Sequence, residues 1–361
     1  MKNVPVNPTQ NFARNLMRIR QLQGMSQEDL AGKVELTRQT IIKYEKGETD
    51  PSISLVNKFA DILGIPFSDF FEANYQFKEG NFGFKKISFE RINYRQGEEL
   101  GAEADKEVKR SASEKLNRLL RLENIMEQRV RFKNPIKNLQ NISTKEKAEE
   151  AALEVRKKWN LYDNPFANVI GALEQRGINV IEVESDTSFH GFSAYYLDLP
   201  IIVLNSEIDE VTRKRFTALH ELGHLILQIP EEIQHDAVER ICDAFASMLL
   251  LPKELLILEL GDNRKNISLE ELNRIKEKYG ISVLAILVSS AFSKIITWKK
   301  YHELKGEIEE NSERISKYSG KENSTRFEKL LFEGIMEDKI DRPTLQELTG
   351  NDDLIERLKP I

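Results

Sequence analysis

Two histidines four residues apart, His220 and His224, lie in the stretch RFTALHELGHLIL, with Glu221 directly after the first. Phe216, Leu219, Leu222 and Leu225 to Leu227 recur at helical spacing and predict a helix here. On a helix, residues i and i+4 share one face. Both imidazoles can therefore face one metal ion. Glu221 lies beside them and reaches a metal-bound water rather than the ion. This is the H-E-x-x-H spacing of zinc hydrolases. It constrains the fold, because two imidazoles hold zinc weakly. A catalytic zinc usually has three protein ligands and one open position, so a second element has to bring another ligand.

The stretch AVERICDAFASMLLL, Ala237 to Leu251, offers it. It reads as a helix halted by Pro252, with Phe245, Met248 and Leu249 on its buried side. Glu239 and Asp243 are again four apart. Glu239 is the expected third ligand. Asp243 is expected to accept a hydrogen bond from the other nitrogen of a ligand histidine, fixing its tautomer. Cys242 lies between them, but a lone buried cysteine usually serves as a small hydrophobe. The His220, His224 and Glu239 set suits zinc better than manganese. Bound zinc lowers the pKa of its water from about 15.7 toward 7. Glu221 is then the expected general base, passing the proton to a leaving amine.

Upstream, Gly191 to Tyr196 and Ile201 to Leu204 read as two strands joined at Asp198, Leu199 and Pro200. An open edge there would bind an extended peptide by strand addition. Tyr195 and Tyr196 alternate, so one is expected inside and one outside. His190 reads as a loop histidine, with oxyanion stabilisation as the alternative.

Near the N-terminus the helix signals are local and dense. A first helix fits Ala13 to Leu22 and stops at Gly24. Ser26 and Asp29 form a capping box for a helix over Gln27 to Val34. A short turn at Glu35 and Leu36 leads to Thr37, a second N-cap, and a helix over Arg38 to Glu45 closed by Gly47. Pro51 and Ser52 open a fourth helix ending at Gly64. Two short helices across a tight turn form a helix-turn-helix, whose second helix can enter a major groove.

The string SQEDLAGKVELTRQTIIKYEKGETDPS closely resembles the XRE/Cro-type repressors, a five-helix, lambda-repressor-like DNA-binding domain. By position, the resemblance implies that Arg38, Gln39 and Lys43 project toward base edges of a double-stranded operator. It places Gln27, Thr37 and Thr40 near phosphates. It also implies a buried ion pair between Arg20 and Glu45. Leu36 departs from the family, which often has a smaller residue in the turn. The span from about Pro165 to Pro252 resembles the ImmA/IrrE metallopeptidases, a gluzincin-like group, in the order GFSAYYLDLPIIVLNS, RFTALHELGHLIL and ERICDAFASMLLLP. That resemblance implies a zinc endopeptidase fused to an XRE domain. Its expected protein substrate is a repressor, in a mobile-element, stress-response or toxin–antitoxin circuit.

The expected fold is multidomain and mainly α, with a small β-sheet (α+β) in the metallopeptidase domain. The 361 residues divide by texture into a helix-turn-helix domain at 1–72, a charged linker with a long helix at 73–147, the metallopeptidase domain at 148–292 and a helical domain at 293–361. The linker opens with Phe77, Phe82, Phe84, Phe89 and Tyr94. Its helix, about 104 to 133, carries Leu116, Leu119, Leu120, Leu122, Ile125 and Val130 on one face and is a candidate homodimer surface, with packing on the peptidase domain as the equal alternative. The last segment offers Leu330, Leu331, Ile335, Leu345, Leu348, Leu354 and Leu358 as core.

Net charge is -6, and residues 1–75 hold nine basic and nine acidic side chains. A uniformly basic nucleic-acid coat is excluded, a local DNA-reading face is not. One cysteine excludes an intrachain disulfide and fits a reducing, cytoplasmic setting. No signal peptide is expected. The apolar run Ile281 to Phe292 is too short to span a membrane. Two functions stay open: a DNA-binding regulator with an active zinc peptidase, or a non-proteolytic, antitoxin-like repressor whose metal domain senses or docks.

Overall fold

The computed structural model describes residues 8–22, 25–72, 89–96, 101–186, 189–196 and 199–349. The chain divides into two compact units. One comprises residues 1–88, 116–129 and 327–361, the other residues 89–115 and 130–326.

In the first unit, helices α1 (Pro8–Leu22), α2 (Gln27–Val34), α3 (Arg38–Glu45) and α4 (Ile53–Leu63) are followed by a 3-10 turn, Phe67–Phe71. These five helical elements enclose a core of Phe12, Leu16, Ile19, Leu30, Ile41, Val56, Phe59 and Phe70. Local chemistry sets the boundaries. The Ser26 hydroxyl accepts from Asp29 N while the Asp29 carboxylate accepts from Ser26 N, the expected capping box. Thr37 and Ser52 cap α3 and α4, and Gly64, at φ 65°, ends α4. Helix α1 begins five residues earlier than the apolar spacing suggested. Gly24 lies outside the described residues. Asn15 Nδ2 donates to the carbonyl oxygens of Asp69, Phe70 and Glu72, fastening the 3-10 turn to α1.

The long helix α5 is Ala102–Ile125 and supplies residues to both units. Its apolar face is buried through Leu116, Leu119, Leu120 and Leu122. Val130 does not belong to it. Glu127 turns into the left-handed region at φ 55°, the helix stops, and Val130 is exposed. In the first unit the chain ends with α14 (Arg326–Met336) and α15 (Arg342–Thr349). Leu330, Leu331, Leu345 and Leu348 are buried there. Leu354 and Leu358, like Phe77, Phe82 and Phe84, lie outside the described residues.

The second unit holds α6 (Lys145–Lys158), α7 (Val169–Glu174), α8 (Val211–Ile226), α9 (His235–Leu250), α10 (Lys253–Leu260), α11 (Leu269–Tyr279), α12 (Val283–Phe292) and α13 (Trp298–Glu310). Its four-stranded sheet has the order β1 (Glu90–Gln96), β3 (Phe189–Tyr196), β4 (Leu199–Asn205), β2 (Asn179–Val183). β1 and β4 run antiparallel to β3, and β2 runs parallel to β4. β1 was not expected and comes from the stretch read as linker. Its effect is decisive for the peptide-edge expectation. β3 is flanked by β1 and β4, so the strand expected to receive a peptide is interior. Tyr195 and Tyr196 are both half-buried, so neither is fully inside or outside. His190 lies within β3 rather than in a loop.

Helix α8 crosses β3 and β4 on one side and meets α9 on the other, and α9 is in turn packed by α6. Gly191 permits the first approach: a Cβ there would stand 2.8 Å from Val203 O and 3.0 Å from Thr217 Cγ2 of α8. The Tyr195 hydroxyl donates to Leu225 O at 2.8 Å and holds the end of α8 against β3.

Candidate functional site

Helix α8 is amphipathic in an unusual sense: twelve of its sixteen residues are buried, and these include polar ones such as Thr217, His220 and Glu221. Its apolar side carries Leu219, Leu222 and Ile226 into the main core. The other side faces α9, and there the polar residues collect. Gly223 sets the distance between the two helices. A Cβ at this position would stand 3.2 Å from Cys242 Sγ, 3.3 Å from Cys242 Cβ and 3.3 Å from Phe245 Cδ1. A glycine inside a helix costs about 1 kcal/mol relative to alanine, so its presence signals a close approach. That glycine is the cue in the sequence that the expected site residues did not include.

The close approach brings three expected ligands together. His220 Nε2 is 3.1 Å from His224 Nε2 and 3.2 Å from Glu239 Oε2, and His224 Nε2 is 3.2 Å from Glu239 Oε1. Their candidate ligand atoms form a group within 4.8 Å of one another. In a tetrahedral zinc site with bonds of about 2.0–2.1 Å, neighbouring ligand atoms lie about 3.3 Å apart. The observed spacing fits. So does the chemistry. His220 Nδ1 is 2.8 Å from Asp243 Oδ1, and an Nδ1–H donated to that carboxylate leaves Nε2 as a lone pair. Lone pairs and a carboxylate converging this closely repel one another unless positive charge sits among them. Protonated on Nε2, the two imidazoles would supply that positive charge themselves. In that state burial, which raises the Glu239 carboxyl, is outweighed by their hydrogen bonds and charge, which hold it well below its usual range.

Glu221 is fully buried next to His220, whose side chain is 1% exposed. Asp243 is much more open than the histidine it meets. Phe216 lies against the His220 ring, with centroids 6.5 Å apart. Cys242 is buried against Gly223 and is not in the ligand group. Met248 is only partly buried, unlike its neighbours Phe245 and Leu249. His235 and His302 are exposed.

In the first unit, Arg38, Gln39 and Lys43 are exposed on α3. Thr37 and Thr40 join hydroxyl to hydroxyl at 2.8 Å at the start of the helix. Gln27 differs from the others: its Nε2 donates to Glu45 Oε2 at 2.8 Å and is partly buried. Glu45 also pairs with Arg20 through both guanidinium branches, Nη2 at 3.0 Å, and both residues are buried. Arg20 Nη1 donates to Met25 O at 2.5 Å. The pair therefore joins α1 to α3 and to the entry of α2, leaving the α3 cations to face outward.

A two-helix DNA-reading turn in one unit and a histidine-bearing helix pair in the other define a regulator class with a peptidase-like second part. Comparison with known proteins agrees. Residues 16–70 match the helix-turn-helix family model, and residues 173–289 match the IrrE N-terminal-like domain, a peptidase family. An uncharacterized HTH-type transcriptional regulator of Methanocaldococcus jannaschii is 48% identical over 52 residues, 14% of this chain and 79% of that protein. One from Methanothermobacter thermautotrophicus is 51% identical over 41 residues, 11% of this chain and 59% of that protein. The apo form of the competence regulator ComR from Streptococcus vestibularis aligns over 91% of this chain and 99% of its own at 14% identity, with a TM-score of 0.18, too slight a likeness to argue from. The chain belongs to the HTH-type transcriptional regulators and carries an IrrE N-terminal-like domain. Among the described residues no helix is long and apolar enough to cross a membrane.

Proposed function

We propose that this chain is a DNA-binding regulator whose second unit is a zinc-dependent endopeptidase acting on a repressor-type protein. The observation that carries the reading is the convergence of His220, His224 and Glu239, with a buried Glu221 beside them and Asp243 behind His220. A zinc ion held there would supply an acidified water and a Lewis acid for the scissile carbonyl. The chain's own residues do the rest. Asp243 fixes the His220 tautomer. Glu221 accepts the proton of the attacking water and returns it to the leaving amine. Glu221 is itself fully buried, which keeps its carboxylate from bulk solvent.

On the DNA side, Arg38 and Lys43 suit guanine edges and Gln39 suits adenine. Thr37 and Thr40 suit phosphates near the start of α3. Gln27 keeps its expected place near a phosphate and has a second role. Its tie to Glu45 makes it a support for the buried Arg20–Glu45 pair.

The test is Glu221→Gln. Purified wild type and variant are incubated with repressors encoded beside the gene, and cleavage is followed by mass spectrometry. The variant should keep wild-type metal content and operator affinity while losing cleavage. Cleavage by the variant at the wild-type rate would sink the peptidase reading.

A further inference from the structure

The turn before α12 repeats the geometry of the turn before α3. Gly280 ends α11 at φ 62°, ψ 42°, and Glu35 ends α2 at φ 57°, ψ 42°. A capping residue opens the next helix two positions later, Ser282 in one case and Thr37 in the other. Both leading helices also begin with a capping box, Ser268 with Glu271 and Ser26 with Asp29. What the second helices show to solvent is opposite. α3 shows Arg38, Gln39 and Lys43. α12, VLAILVSSAF, contains no charged residue, so it cannot read phosphate or base edges as α3 does.

Instead α12 exposes an apolar row. Leu284 is 40% exposed and Phe292 62%, with Val288 half-buried between them. They are spaced i, i+4, i+8 along one face, about 12 Å of helix. The row continues into Trp298, 45% exposed, whose ring meets Phe292 edge to face at 5.0 Å. A cavity of about 390 Å³ opens beside it, lined by Phe292, Trp298, Ile295, Ile296, Arg264 and Lys294 among others, and by no acidic residue. Exposed Trp and Phe beside an apolar row mark protein contact sites.

The charge around the row limits what can dock. Lys145 Nζ sits 5.3 Å from the centre of the Phe292 ring, and Lys294 lines the cavity. Neither lysine lies within ion-pair distance of a carboxylate among the described residues, although Lys145 interacts electrostatically with Glu146 and Glu149, whereas Arg264 is held by Glu271 at 2.8 Å. Two such cations beside an apolar row complement an apolar stripe with acidic flanks, locally and against the chain's net charge of -6.

We infer that the outward face of α12, with Trp298, is a docking surface for a partner protein that presents an acidic amphipathic segment. The surface does not depend on turnover at the metal site. It is reached from exposed residues alone, so it can be tested without disturbing either helix core.

The probe is a fluorescein-labelled synthetic peptide of about 16 residues, with leucine at helical spacing and glutamate elsewhere, added to the full-length chain. Two signals are read: peptide anisotropy and tryptophan emission. Trp298 is exposed and Trp159 is buried, so docking should shift the emission of Trp298 to the blue. Saturable binding is expected. Leu284→Ser and Phe292→Ser should each weaken it by about tenfold, and Lys294→Glu should weaken it measurably, with unchanged melting curves. The same peptide with lysine for glutamate should not bind. The inference is overturned if the acidic peptide gives no saturable signal, or if Phe292→Ser leaves binding intact. It is also overturned if sedimentation shows a dimer that Phe292→Ser abolishes, which makes a second copy the occupant. Quenching of Trp298 by oligothymidylate that excludes the peptide would assign the face to nucleic acid instead.

Discussion

Asp243 is far more exposed than His220, yet its carboxylate meets His220 Nδ1 at 2.8 Å. A carboxylate on Nδ1 makes imidazole a better ligand through Nε2 and stops the ring from turning. Asp243→Ala should therefore lower metal affinity by about 10–100-fold. Asp243→Asn should lower it less, since the amide oxygen still accepts from Nδ1. Competition with a chromogenic chelator measures both, and equal affinities for all three proteins would refute the role. Gly223 works at the same scale. Gly223→Ala places a Cβ within about 3.3 Å of Cys242 and Phe245, so it should lower the melting temperature. In a Cys242→Ala background the same change should cost less, because the nearest atom is gone. Additive effects in thermal melts would show that the two residues do not share one contact. The pairing of His220 with His224 was legible in the sequence because i, i+4 spacing on a helix is a local property. The partnership of Gly223 with Cys242 was not, since it depends on how two helices cross.

Helix α3 shows how far local rules reach. Its start, stop and outward residues all follow from Thr37, Gly47 and a single helical period. Arg38→Ala should cost about 1–3 kcal/mol of specific operator binding and relax preference at one base position. A selection from randomised operator DNA, run at fixed salt, would check it. Unaltered base preference would remove Arg38 from the readers. The end of α5 shows the limit. Apolar spacing ran on to Val130, yet the helix stops at Ile125 and Glu127 adopts a left-handed conformation without being glycine. No glycine or proline marked that stop, and the periodicity continued past it by chance. Strand β1 escaped for a related reason. Residues Glu90–Gln96 alternate poorly, and only pairing with β3, about a hundred residues away, makes them a strand.

At the scale of the molecule, the most deeply buried ion pair among the described residues is Arg215 and Glu322. Both side chains are fully buried, 107 residues apart in sequence. Arg215 Nε donates to Gly280 O, and Nη2 donates to Phe166 O and Tyr279 O. Glu322 accepts from Val169 N and Ile170 N at the start of α7. One ion pair thus joins the histidine-bearing helix to α7, to the end of α11 and to the segment after α13. Glu322→Gln or Arg215→Met alone should destabilise the unit by about 3–5 kcal/mol, and the double variant by less than the sum, because breaking one partner leaves a buried charge. Urea unfolding measures this, and strict additivity would argue against a direct pair. Nothing in the residues around Glu322 announced that role. The amino-acid sequence by itself determined the caps, the helix-turn-helix and the shared face of His220 and His224, since hydrogen bonds and periodicities within a few residues specify them. Only the tertiary structure decided which strand closes beside β3, how near α9 comes to α8, and where the Glu322 carboxylate goes. Those outcomes belong to contacts between distant segments, whose energies no single segment contains.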